Sequence, residues 1–137
     1  MNLGKSIQYL FLVFIGLLLI LLVSIILETP ATPPGEYHYS SFLKNNYGVF
    51  ASILFLIAGL VIGYLMNLIP WLAGLCLVLI FPLTTIYEII AYHGSHNLVP
   101  FEFLLFLLYA LPAIIGTFLG KWISDKVEKS ESTIKSN

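Results

Sequence analysis

YEIIAYHGSHNLVPFEF, residues 87–103, is a polar island between two long apolar runs. It carries Glu88, His93, Ser95, His96, Asn97 and Glu102, with Gly94 and Pro100 to break a helix. The runs on either side, 71–92 and 101–123, are each long enough to cross about 30 Å of hydrocarbon at about 1.5 Å per residue. A polar, Gly- and Pro-containing segment between two such runs reads as the turn joining two membrane helices.

The rest of the chain supports lipid as the solvent. Of 137 residues, 59% are hydrophobic and 9% charged, and the mean hydropathy is +0.98. A water-soluble domain carries about a quarter charged residues, so too little polar surface exists here to cover a soluble globule. The formal net charge is −1 and all six basic residues are lysine. No basic patch forms, which argues against nucleic acid as a partner. The single cysteine, Cys76, lies inside an apolar run and reads as filler.

Working outward, four spans emerge, at about 7–27, 47–66, 71–92 and 101–123. The first follows Lys5 but is longer than the apolar region of a signal peptide, and Pro30 spoils the nearest cleavage site, so it reads as an uncleaved helix. Residues 28–46 form the longest loop. Pro30, Pro33, Pro34 and Gly35 prevent a helix from end to end, and Tyr37, His38 and Tyr39 suggest a segment at the membrane interface. In the second span Gly48, Ser52, Gly59 and Gly63 share a face, and Gly59 with Gly63 makes a GxxxG. The turn at 67–70 is short and uncharged, with Pro70 suited to a first helical position. Pro82 and Pro112 lie near mid-span and free the carbonyls of Val78 and Leu108. Ala113, Gly116 and Gly120 give the fourth span a second small-residue face. Residues 1–123 thus make one all-α, four-helix transmembrane bundle, and 124–137 a polar tail that frays into disorder.

Lysine placement orients the bundle. Lys5, Lys121, Lys126, Lys129 and Lys135 fall on one side and Lys44 alone on the other, so both termini are expected in the cytoplasm. Trp71 and Trp122 mark that edge; Tyr37, Tyr39, Tyr47, Tyr87 and Tyr92 mark the opposite one. Glu28, Glu36, Glu88, Glu102 and all three histidines then lie in the outer half.

Glu88 sits about 6 Å below the end of its helix, with Thr84, Thr85 and Tyr92 a turn away. A carboxylate there must be paired, protonated or near water. It is either a titrating or cation-binding group facing the bundle interior, or a carboxylate that reaches the headgroups or hydrogen-bonds a loop. His93 and His96 form HGSH. With Glu88, His38 or Glu102 they would supply a zinc-like shell, but HxxH without a third ligand at readable spacing is weak, and no metal or cofactor is expected. Proton sensing is a further use of these imidazoles. Ser95, Asn97, Pro100 and Glu102 have the composition of a helix entry, with Glu102 complementing the positive helix end. No nucleophile with a base, phosphate loop or dinucleotide fingerprint is present.

Ser95-His96-Asn97-Leu98, then Pro100-Phe101-Glu102, resembles a stretch found in small four-span bacterial membrane proteins of unassigned activity. There it links the third and fourth helices. The resemblance covers residues 82–120 and implies a multi-pass protein of the bacterial inner membrane. It implies no activity.

Three functions are compatible with these residues. The first is a non-enzymatic structural or accessory subunit, held by its small-residue faces to a membrane-protein partner or to further copies of itself. The second is a small oligomeric channel or transporter with Glu88, His93, His96, Asn97 and Glu102 at an outer mouth. The third is a membrane metalloenzyme using the same side chains. The lipid bilayer is the one partner common to all three.

Overall fold

The computed structural model describes residues 3–92 and 99–135, and among them it is helical throughout, with no strand. The helices are α1 (Leu3–Ile26), α2 (His38–Asn46), α3 (Val49–Leu65), α4 (Pro70–Val78), α5 (Ile80–Ala91) and α6 (Val99–Lys135). Two of them, α1 and α6, are long and apolar enough to cross a membrane, and up to four spans result if each bent pair counts as one. The bent pairs are α2 with α3, at 82°, and α4 with α5, at 46°.

Three elements depart from the sequence reading. The loop over 28–46 contains a helix, α2, which begins just past Pro33, Pro34 and Gly35, with the His38 amide donating to the Gly35 carbonyl. The span over 71–92 is two helices meeting at Leu79. Pro82 supplies no amide to the Val78 carbonyl, and the axis breaks beside that vacancy. The tail over 124–135 continues α6 as helix through Lys135, where fraying was expected. After Gly120 this stretch has no Gly or Pro. Lys121 and Asp125 pair one turn apart at 3.1 Å, and Lys126 lies 3.9 Å over the Trp122 ring. Pro112, by contrast, is accommodated within α6.

Directions follow from which residues meet. A Cβ on Gly59 would overlap the Ala113 carbonyl oxygen, and one on Gly63 the Thr117 carbonyl oxygen, so α3 and α6 run parallel. Gly116 and Gly120 meet the Leu56 and Leu60 carbonyls from the other side. The GxxxG and the second small-residue face therefore serve one another inside a single chain. Gly48 is apart from this contact: nothing lies within 4 Å of where its Cβ would be, and the residue is exposed. Ser52 is half-buried and bonds back to the Gly48 carbonyl at 3.0 Å.

Two further close approaches lie outside the small-residue faces read from sequence. Gly74 brings α4 against Ile114, where a Cβ would stand 2.6 Å from the Ile114 Cα, and the Thr117 hydroxyl reaches the Pro70 carbonyl at 2.8 Å. These pairs make α4 antiparallel to α6. Gly16 abuts the Leu77 carbonyl, and Tyr9 Oη accepts from the Ile69 amide at 3.2 Å, so α1 runs parallel to α4. Along α1, Tyr9, Leu12, Gly16, Ile20 and Val23 form one buried stripe, while Leu10, Phe14 and Ile25 face outward.

Together these directions place the start of α1, the end of α3, the start of α4 and the C-terminal part of α6 at one end, here the lysine end. At the other, the polar end, stand α2, the end of α5 and the start of α6. Tyr47, expected among the belt tyrosines, is turned inward. Its ring stacks on Tyr109 with centroids 4.2 Å apart, packs against Phe55 and Phe81, and its hydroxyl donates to the Tyr109 carbonyl. Tyr47→Phe keeps the ring and loses the donor; a cost of about 1 kcal/mol is expected, read as a fall of a few degrees in Tm in detergent.

Candidate functional site

The polar end is built around α5. Its buried stripe is Phe81, Thr85 and Glu88, spaced four and three residues apart. The helix makes more of its contacts with α2 than with α6, because the break at Leu79 tilts it. That tilt carries Glu88 to the start of α2.

Glu88 is fully buried. Its Oε1 accepts from the Tyr39 amide at 2.8 Å and from the Ser40 amide at 3.1 Å. Tyr39 and Ser40 stand in the first turn of α2, where backbone N–H groups have no intrahelical acceptor. No side chain of the adjoining residue, Tyr37, caps that helix. A carboxylate from 48 residues further along the chain does so instead, with the positive end of the helix favouring its charge. Glu88 thus faces the bundle interior, as one of the two readings from sequence has it, and bonds backbone outside its own helix, as the other has it, with a helix in place of the loop.

The neighbouring polar groups are committed in the same way. His38 Nδ1 lies 3.1 Å from the Pro33 carbonyl and 3.2 Å from Thr32 Oγ1, closing the turn before α2. At the far end of α2, Asn46 is buried, donates to the Phe42 carbonyl at 2.8 Å and accepts from Thr29 at 2.8 Å. Thr29 in turn meets Ser24 of α1 at 2.9 Å. Both ends of α2 are thus fastened, one to α5 and one to α1 by way of Thr29. Sequence reading missed Asn46 and Thr29. The one available signal was a polar pair, Asn45-Asn46, next to an apolar span.

Glu102 lies in the first turn of α6 and pairs with Lys44 of α2 at 2.8 Å, both side chains about a quarter exposed or less. It serves α2 as well as its own helix end. Of the other residues expected at the mouth, His93, His96 and Asn97 lie outside the described residues, as do Gly94 and Ser95. Tyr92 is exposed, and the Thr84 hydroxyl bonds back to the Phe81 carbonyl at 2.8 Å. Among the described residues no three His, Cys, Asp or Glu side chains gather as a metal shell.

Thr85 is the exception in this network. It is fully buried, one turn before Glu88, and its hydroxyl has no hydrogen-bond partner among the described residues. An unsatisfied buried hydroxyl costs about 1–3 kcal/mol. Thr85→Val removes the hydroxyl at nearly constant shape and is expected to raise Tm by several degrees in detergent. A fall in Tm would mean that the hydroxyl serves a bound group.

Comparison of the chain with family models, with curated proteins and with solved structures returned no match.

Proposed function

We propose that the chain is a four-span, non-enzymatic structural or accessory subunit of a membrane assembly, with both termini on the lysine-rich, cytoplasmic side of a bacterial inner membrane. In this reading each bent pair is one span, and α2 lies along the outer interface. The observation that carries it is the engagement of Glu88: the most deeply placed carboxylate caps a helix of its own chain. Lys44 with Glu102, and Asn46 with Thr29, likewise hold one helix to another. Polar groups used in this way serve rigidity, and a rigid bundle with a broad apolar exterior is suited to being a fixed neighbour of other spans.

The test is purification of the full chain from its native membranes in mild detergent, with mass analysis of what accompanies it. A membrane-protein partner in constant ratio, retained by Glu88→Gln, is the expected result. A protein that purifies alone and conducts ions in liposomes would overturn the reading.

The unpartnered Thr85 hydroxyl beside Glu88 favours a second reading, a small oligomeric channel or transporter with its mouth at the polar end. There Glu88→Gln would abolish flux or its pH dependence while the fold persists.

A further inference from the structure

The tilt that brings α5 to α2 opens a gap on the other side. α6 packs closely along α4 and only lightly against α5. Between them lies a cavity of about 340 Å³, open to the outside of the bundle. Pro82, Leu83 and Ile86 line it from α5, and Phe103, Phe106 and Leu107 from α6, and among the described residues no polar side chain lines it. It reaches from Phe103 to Ala110 along α6, which is about 10 Å at 1.5 Å per residue. In a membrane such a slot does not stay empty, because its walls would forfeit their dispersion contacts.

The polar end of the slot carries a charge of each sign. Glu102 precedes Phe103 directly, and Lys44 Nζ stands 2.8 Å from its carboxylate and 5.9 Å from the centre of the Phe106 ring. The Lys44 ammonium has three N–H donors, and its contact with Glu102 uses one. We propose that this slot binds one phospholipid carrying a phosphoethanolamine headgroup. One acyl chain fills the gap between α5 and α6, the phosphate accepts from the free donors of Lys44, and the headgroup ammonium faces Glu102. The pairing of a cation and an anion at the mouth is what selects this headgroup. A phosphoglycerol headgroup offers the phosphate to Lys44 but no cation to Glu102. A protein helix, the other way to cover an apolar slot, would bury the ion pair under hydrocarbon at a desolvation cost.

The proposal requires the membrane reading but not the accessory-subunit reading. The full chain, purified and stripped of lipid in detergent, is titrated with phosphatidylethanolamine or phosphatidylglycerol and followed by native mass spectrometry. One phosphatidylethanolamine per chain is expected to survive collisional activation that removes all other lipid, with phosphatidylglycerol retained at least about tenfold less. Leu83 and Leu107 are exposed, so Leu83→Trp with Leu107→Trp fills the slot from its rim and should abolish retention. Leu83→Ala with Leu107→Ala leaves the slot open and should keep it, which guards against misfolding as the cause. Glu102→Gln should remove most of the preference between the two headgroups, whereas Lys44→Gln should weaken retention of both. Equal retention of both lipids, unaffected by the tryptophan pair, would show ordinary boundary lipid and overturn the proposal. A photo-crosslinker at position 107 that captures a protein span in native membranes would also overturn it, while leaving the accessory-subunit reading standing.

Discussion

Gly63→Leu is expected to leave little or no folded protein in a mild-detergent extract. Gly63 faces Thr117 across the contact of α3 with α6, where even a Cβ would overlap the Thr117 carbonyl oxygen and stand 2.8 Å from its carbonyl carbon and Cα. The obstacle is helix backbone, which cannot rotate aside as a side chain can. Relief requires that the two helices part along their length. Parting would also break the Thr117 hydroxyl's reach to Pro70, and with it the seat of α4. Overpacking a core costs about 1–3 kcal/mol where side chains can yield; here none can, so the upper end is the starting point.

Gly63→Ala is the sharper version of the same experiment. Alanine is favoured over glycine inside a helix by about 1 kcal/mol, so on an open face the change would stabilise. At Gly63 the overlap outweighs that gain, and a lower Tm is expected. Gly48→Ala is the control. Its Cβ would meet nothing within 4 Å and its φ is −116°, which any residue adopts. Gly48 is the N-cap of α3, where alanine is less favourable than glycine, so a modest loss of no more than about 1 kcal/mol is expected there. If Gly63→Ala and Gly48→Ala gave equal Tm values, the parallel contact of α3 with α6 would be wrong.

What was legible in the sequence was whatever depends on local spacing. Apolar runs declare membrane-capable helices by length, and residues spaced three and four apart declare a face, so Gly59 and Gly63 could be matched in kind with Ala113, Gly116 and Gly120. Pro82 pointed to a freed carbonyl at Val78, and the axis breaks next to it. Gly16 and Gly74 were illegible because each is a single glycine in an apolar run, and one small residue defines no stripe. α2 was hidden because Pro33, Pro34 and Gly35 mark where a helix cannot be but say nothing of the nine residues that follow them closely. The partner of Glu88 was hidden for a deeper reason. A carboxylate in an apolar helix has many potential hydrogen-bond donors, and the ones it found are backbone amides, which every residue but proline possesses and no sequence motif distinguishes. Only the tilt of α5, set by a proline six residues earlier, decides which amides it meets.

That capping interaction sets the other large effect, expected for Glu88→Ala. Two amides of the first turn of α2, that of Ser40 buried and that of Tyr39 partly so, would then lose their acceptor, and hydrogen bonds to a charged group are worth about 1.5–3 kcal/mol each. A loss of about 3–6 kcal/mol follows if both are left bare, enough to free α2 from α5. Glu88→Gln separates charge from geometry. Its side-chain oxygen accepts as Oε1 does, so it gives up chiefly the attraction between a full charge and the helix end, about 0.3–2 kcal/mol. The ordering wild type, then Gln, then Ala should appear in Tm. It should appear as well in proteolysis, since Lys44 lies inside α2 and no other lysine occurs between Lys5 and Lys121. Trypsin applied to the detergent-solubilised chain should leave Lys44 uncut in the wild type and cut it rapidly in Glu88→Ala, with Glu88→Gln between. Asn46 still ties the far end of α2 to Thr29, so the helix should swing about that end, and Asn46→Ala combined with Glu88→Ala should speed cleavage beyond either change alone. Equal cleavage at Lys44 in wild type and Glu88→Ala would mean that the carboxylate does not hold α2.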